Sequence, residues 1–207
     1  MEIKLQNVGK KYLHEWVFRK FSYMFTKGGA YAIVGPNGSG KSTLLQVLAG
    51  SLTASEGTIL WTNGSTINPE KIYSYISLTA PYLDLIDEMT PIEFLQFHDN
   101  FKPLISTESI NSILEIIDLK NVAQKQMRYF SSGMKQRLKL AQAIFSNTPI
   151  LLLDEPCMNL DKAGIDLYQQ LINNYAKDRL VIVSSNHLIE YSFCKEIISI
   201  KDFKIER

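Results

Sequence analysis

An α/β fold with a mainly parallel sheet is predicted for this 207-residue chain, and three apolar runs carry the prediction. "AYAIVG" at 30–35, "PILLLD" at 149–154 and "RLVIVSS" at 179–185 stay apolar almost to their ends. A strand with one wet face alternates, so such runs belong to strands covered on both faces. Helical segments separate them. That is the pattern of parallel strands joined by crossovers, with ligands bound at the carboxyl ends of the strands.

Taken in order, the first 25 or so residues alternate more, as in "EIKLQNV" and "WVFRKFSYMF". They read as antiparallel strands at the sheet edge, an N-terminal antiparallel β subdomain. Between about residues 85 and 147 the period becomes helical. "TPIEFLQF" offers Thr90 as N-cap, Pro91 in the first turn and Glu93 at the capping-box position. "STESINSILEIIDL" carries an Ile/Leu stripe. In "YFSSGMKQR", residues 129–137, Ser131, Ser132 and Gly133 read as a helix start, with Met134, Leu138, Ala141 and Phe145 on one face. The middle block is expected to be a helical subdomain inserted into the α/β core. The last strand is expected in "EIISIKDFKIER", residues 196–207.

Composition excludes several classes. Hydrophobic residues make up 45% of the chain, which supports a globular domain. With 22 Lys+Arg against 21 Asp+Glu, charge gives no reason to expect a nucleic-acid partner. Lys135, Arg137 and Lys139 read as a solvated helix face. Cys157 and Cys194 lack metal-ligand spacing and read as core thiols in a reducing compartment. No stretch reads as a signal peptide, and the apolar runs fall far short of the roughly 20 residues that span a bilayer.

The chemistry is concentrated at strand ends. "GPNGSGKS", residues 35–42, follows the first apolar run and precedes the helical "TLLQVLAG". Glycine, four residues, glycine, lysine and serine in that context form a phosphate-binding loop: the glycines let backbone amides turn inward around a polyphosphate. Lys41 suits the β and γ phosphates, and the Ser42 hydroxyl suits Mg²⁺. "ILLLDEP" ends the second run in adjacent carboxylates. Asp154 is placed for the metal, and Glu155 for orienting or deprotonating an attacking water. The helix start at Ser131 has free amides and a positive dipole end, which attract a phosphate.

The phosphate loop, "YFSSGMKQR", "LLLDEP", "MNLD" and "SSNH" occur in an order and spacing that resembles the nucleotide-binding domain of ABC-type ATPases. The resemblance covers essentially the whole chain. It implies a P-loop NTPase fold in a single domain over 1–207, with a core of about 1–82 and 148–207 and a helical subdomain of about 83–147. It also implies ATP and Mg²⁺ as cofactors. Gly35, Pro36, Asn37, Gly38, Ser39, Gly40, Lys41, Ser42 and Thr43 would surround the phosphates, Tyr12 would stack on adenine, and Ser42 and Asp154 would hold the metal. Glu155, His187 and Lys41 would be catalytic. Phe130 to Met134 stand where the family's signature motif lies, so Ser131 and Gly133 would contact nucleotide bound on a second subunit. Asn159, Leu160 and Asp161 resemble the loop that links the two sites, although Asp161 is equally placed to be a helix N-cap.

Partners implied by the resemblance are a membrane-spanning transporter subunit and a second ATP-binding subunit, in a homodimer or heterodimer. The implied place is the cytoplasmic face of the membrane. A soluble, non-transport ATPase of the same type is the alternative. Two departures stand out: Ala80 or Pro81 occupies the place of a metal-contacting glutamine, with Tyr82 and Asp84 nearby, and Ser132 and Met134 replace a glycine and a glutamine of the signature.

Overall fold

The computed structural model describes residues 1–203 of the chain. In chain order the strands are β1 (Glu2–Tyr12), β2 (Glu15–Thr26), β3 (Ala30–Val34), β4 (Glu56–Asn63), β5 (Ser65–Thr66), β6 (Ile76–Thr79), β7 (Ile150–Asp154), β8 (Leu180–Ser184) and β9 (Glu196–Ser199). The helices are α1 (Lys41–Leu48), α2 (Pro91–Phe101), α3 (Ile110–Ile116), α4 (Ser132–Phe145), α5 (Lys162–Tyr175) and α6 (Leu188–Tyr191).

The three apolar runs are β3, β7 and β8, and they lie side by side in a parallel sheet of order β6-β7-β8-β3-β9. Successive side chains of a strand point to opposite faces, so these strands feed two cores. Leu151, Leu153, Val181 and Val183 pack with α4 and α5 residues such as Leu138, Phe145, Tyr168 and Leu171. Ile150, Leu152, Leu180 and Ile182 pack on the other face with Leu44, Leu45 and Leu48 of α1.

The N-terminal strands make the expected antiparallel β subdomain, but not at the edge of the parallel sheet. They form their own antiparallel sheet, of order β2-β1-β4-β5. Ile3, Leu5, Phe18, Phe21, Phe25 and Trp61 are buried against the α1 face of the parallel sheet. The reason is alternation: one apolar face needs a partner layer, whereas the middle of a doubly covered sheet would bury the polar face too. The Trp61 indole donates to the Leu48 carbonyl at 3.0 Å, fastening this sheet to the end of α1. Strand β9 stops at Ser199 and gives way to a 3₁₀ turn over Ile200–Phe203; the rest of the expected last strand lies outside the described residues.

Helices α2 and α3 form where the capping signals sit. Thr90 and Glu93 make the full capping box: the Thr90 hydroxyl accepts the Glu93 amide, and Glu93 accepts the Thr90 amide at 2.8 Å. Ser109 caps α3. In α4, Ser131 is the N-cap, its hydroxyl accepting the Met134 amide at 3.2 Å. Leu138, Ala141 and Phe145 are buried, and Met134 packs against the same core.

Candidate functional site

The carboxyl ends of the parallel strands hold an unusual set of polar atoms. Thr79, Asp154 and Ser184 are the last residues of β6, β7 and β8, and Ser39 lies in the loop after β3. Each keeps a buried oxygen without a hydrogen-bond partner: Thr79 Oγ1, Asp154 Oδ1, Ser184 Oγ and Ser39 Oγ. Unmet buried polar atoms are costly in a folded chain. Their gathering at one sheet edge marks a place built for an external ligand.

The loop 35–42 wraps the start of α1. Gly40 is the helix N-cap at φ 104°, with no side-chain cap on the free amides. A Cβ there would stand 2.4 Å from Val17 Cγ1 of β2, so conformation and space both require glycine. Lys41 is 4% exposed. Its ammonium donates to the Gly35 carbonyl at 2.8 Å and the Pro36 carbonyl at 3.3 Å, folding back across the loop. Residues 37–43, with Val17 and Glu155, line one cavity of about 290 Å³. The residues expected to bind phosphate and the expected base therefore share a single space.

Strand β7 delivers Asp154, 1% exposed, with one carboxylate oxygen unpartnered. A buried carboxylate with a free oxygen is a donor suited to a hard divalent cation such as Mg²⁺, which takes few protein ligands and keeps several waters. Glu155 follows at φ 45°. That left-handed turn ends the strand and aims the next residues away, while its amide still donates to the Ser184 carbonyl at 2.9 Å.

His187 stands exposed at the start of α6, its amide donating to Ser185 Oγ at 2.8 Å. It lines a second cavity, of about 370 Å³, with Glu155, Asn159 and Glu190. Glu155 thus lies between the phosphate loop and His187. Asn186, to which the sequence reading gave no role, accepts the Gly35 amide at 3.3 Å and donates to Asn37 Oδ1 at 2.9 Å. It ties the turn carrying His187 to the phosphate loop; its position between a buried strand and a histidine was the available signal.

Tyr12 is half exposed at the end of β1. It pairs with Glu15 across the β1–β2 turn, and this hairpin continues into Val17 at the phosphate-loop cavity. Nearby Lys10 sits over its ring at 5.3 Å.

Ser131 and Gly133 line a third cavity, of about 430 Å³, with Arg137, Asn159, Leu160 and Asp161. It shares no lining residue with the phosphate-loop cavity. Within one chain, then, the structure does not bring Ser131 and Gly133 to the phosphate loop. A Cβ on Gly133 would lie 3.2 Å from the Asn159 carbonyl, so the α4 start and the loop after β7 are in close contact. Asp161 is the N-cap of α5, accepting the Gly164 amide at 2.8 Å.

The basic residues of α4 are partly exposed, and they are paired rather than free. Lys135 pairs with Asp87 at 2.6 Å, Arg137 with Asp118 at 3.2 Å and Asp161 at 3.6 Å, and Lys139 donates to the Pro81 carbonyl at 3.5 Å. The loops folded over that face supply acceptors that local sequence could not reveal. Gln136, also without a role in the sequence reading, is 4% exposed and donates to the Pro156 carbonyl at 2.7 Å, locking α4 to the Glu155 loop. A polar residue four before Leu140 on the buried side was its signal. Cys157 is buried as expected; Cys194 is only partly so.

At the missing-glutamine position Ala80 is fully buried. Tyr82, two residues on, has its pKa raised by burial and by the charge of Asp154, against the lowering effect of a hydrogen bond with Gln46 of α1. Among the described residues no helix is long and apolar enough to cross a membrane.

The sequence profile of the family described as ABC transporter matches residues 18–158. The ABC transporter ATP-binding protein YybJ of Bacillus subtilis is 34% identical, over 99% of this chain and 91% of its own length. The lantibiotic transport ATP-binding protein SrtF of Streptococcus pyogenes is 30% identical, over 90% of this chain and 80% of its own. Among solved structures, the dimeric bacterial ABC transporter cassette MJ0796 superposes with a TM-score of 0.82 at 26% identity, over 99% of this chain and 97% of that one. The same cassette is also known in a post-hydrolysis state bound to ADP and Pi, with a TM-score of 0.83 at 25% identity.

Proposed function

The chain belongs to the ABC transporter family as an ATP-binding subunit, and from that premise we propose how its residues divide the work of an ATPase that drives a separate membrane-spanning subunit. The observation that carries the reading is the shared cavity: the phosphate loop and Glu155 face one space, lined also by Ser39, whose buried hydroxyl has no hydrogen-bond partner.

ATP binds with its polyphosphate inside residues 35–43 and its adenine on Tyr12. The amides at the start of α1 and the Lys41 ammonium meet the phosphate oxygens, Lys41 exchanging its carbonyl partners for them. Ser42 and Asp154 would hold Mg²⁺, which would neutralise charge on the phosphates. Glu155 accepts a proton from a water as the water oxygen attacks the terminal phosphorus. The bond to the bridging oxygen breaks, leaving ADP and phosphate. His187 contacts the terminal phosphate, and the Tyr82 phenol near Asp154 takes the place of the absent glutamine.

Because the signature cavity shares no lining residue with the chain's own phosphate-loop cavity, Ser131 and Gly133 serve nucleotide on a second subunit. Two subunits, identical or related, close head to tail over two ATP molecules and reopen on hydrolysis. The whole chain acts as one domain, with core 1–82 and 148–207 and helical part 83–147, at the cytoplasmic face beside its membrane partner.

Glu155→Gln tests the assignment. The swap keeps shape and the backbone bond to Ser184. Steady-state ATPase activity should fall about 10²–10⁴-fold, the usual contribution of a general base, and size-exclusion chromatography with ATP and Mg²⁺ should show an accumulated dimer. Unchanged turnover would remove Glu155 from the role.

A further inference from the structure

Two loops of the site leave the sheet side by side, residues 155–161 after β7 and 185–187 after β8. Glu190, in α6, joins them. It is 2% exposed. Its Oε1 accepts the Cys157 amide at 2.8 Å. Its own amide donates to the His187 carbonyl at 2.9 Å, closing the turn that presents His187. Its carbonyl accepts the Tyr168 phenol at 2.7 Å, anchoring that turn to α5. One residue thus holds the loop of Glu155, the turn of His187 and the helix behind both.

The tie has a cost that packing does not explain. Glu190 Oε2 is buried with no hydrogen-bond partner, and the residue lines the cavity shared with Glu155, Cys157, Asn159 and His187. Leaving half of a carboxylate unmet in the interior is unfavourable. Burial pushes the Glu190 carboxyl up, against the downward pull of Ser185, the Cys157 amide and His187, and with a further push from Glu155. The group facing it from α5 is the Tyr168 phenol, which brings no positive charge.

We propose that Glu190 is a positioning residue of the hydrolytic site, a buried strut that makes the Glu155 loop and the His187 turn move against the terminal phosphate as one unit. It touches no substrate and acts through Glu155 and His187, so the proposal rests on the roles given to them above. Because the strut ends on the Cys157 amide, an oxygen acceptor of the right length is what the position requires. Glutamine supplies one; alanine does not.

The test uses the full chain with its membrane partner. Turnover and KM for ATP are measured in Glu190→Ala and Glu190→Gln, together with hydrogen exchange at the Cys157 amide. In Glu190→Ala, kcat should fall about tenfold or more, the worth of one buried hydrogen bond of about 1.4 kcal/mol. KM should stay within about threefold, because the phosphate loop is untouched. The Cys157 amide should exchange about tenfold faster. Glu190→Gln should restore kcat and Cys157 protection to within about threefold of the native protein.

A native kcat in Glu190→Ala, or a glutamine variant as slow as the alanine one, overturns the strut. If the alanine variant does not fold, the glutamine variant decides alone: near-native kcat with Cys157 protected supports the proposal, and lost kcat with Cys157 protected defeats it. Glu155→Gln, run in parallel, separates the two levels. Unchanged turnover there defeats the assignment of the base, whereas the Cys157 exchange rate reads the strut directly.

Discussion

Replacing Arg179 by methionine should weaken the fold by several kcal/mol, although the residue lies away from the nucleotide cavity. Arg179 immediately precedes β8 and is 9% exposed. Its guanidinium donates to the Ile144 carbonyl at 2.8 Å, Ser77 Oγ at 2.6 Å and Thr148 Oγ1 at 2.7 Å. It thereby gathers the end of α4, strand β6 and the approach to β7, the strand that carries Asp154 and Glu155. Burial pulls its pKa from 12.5 to about 10, which at 1.36 kcal/mol per tenfold change penalises the charged form by about 3 kcal/mol. Hydrogen bonds from a charged donor contribute about 1.5–3 kcal/mol each, so three of them supply about 5–9 kcal/mol. The balance favours the native arginine by about 2–6 kcal/mol.

Methionine has similar reach and no donor. Ser77 and Thr148 keep each other at 3.0 Å, and Thr148 keeps the Ile150 carbonyl at 3.1 Å, but the Ile144 carbonyl is orphaned. Urea unfolding followed by far-UV circular dichroism should show the midpoint lowered by about 1–3 M at an unchanged slope, for a slope of about 2–3 kcal/mol/M. A loss below about 1 kcal/mol would refute the reasoning. It would mean that desolvation of the guanidinium offsets its hydrogen bonds almost completely.

Two further outcomes follow from the same geometry. Gly40→Ala must place a methyl where Val17 Cγ1 already stands, at φ 104°; nucleotide affinity by isothermal titration should fall about tenfold or more, since αL strain of about 1–2 kcal/mol adds to the overlap, and native affinity would show that the loop tolerates the side chain. His98 donates from or accepts at Nε2 with Ser146 at 2.8 Å and meets the Gln142 amide through Nδ1 at 3.0 Å, while burial and then Lys102 lower its pKa from 6.5 to about 4. The folded state keeps this ring neutral where the unfolded chain protonates it, so stability is lost as pH falls from about 6.5 to 4 and the penalty is complete below that. Unfolding measured across that window should be flatter in His98→Gln; an identical slope would show that His98 does not contribute.

Motifs whose physics is local were legible before the fold was known. The glycines of 35–40 need only a turn and close backbone approach, and Thr90 with Glu93 needs only one helical turn, so both appear where the sequence placed them. Apolar runs without polar breaks announced strands buried on both faces, and β3, β7 and β8 are those strands. Elements β4 and β6 were missed because each is recognisable only through its neighbours: Trp61 through α1 and β1, Ser77 through Arg179, 102 residues away in sequence.

The amino-acid order alone determined which side chains carry chemistry and which strands end in them, because hydroxyls, carboxylates and glycines at strand termini follow from short-range pattern. Tertiary structure decided the rest: that Glu155 shares a cavity with the phosphate loop while Ser131 and Gly133 do not, that Asn186 grips that loop, and that Glu190 spans two loops. Each of these depends on where segments far apart along the chain are brought in space. Their energies depend on distance and burial, quantities that exist only once the two cores have closed on either side of the sheet.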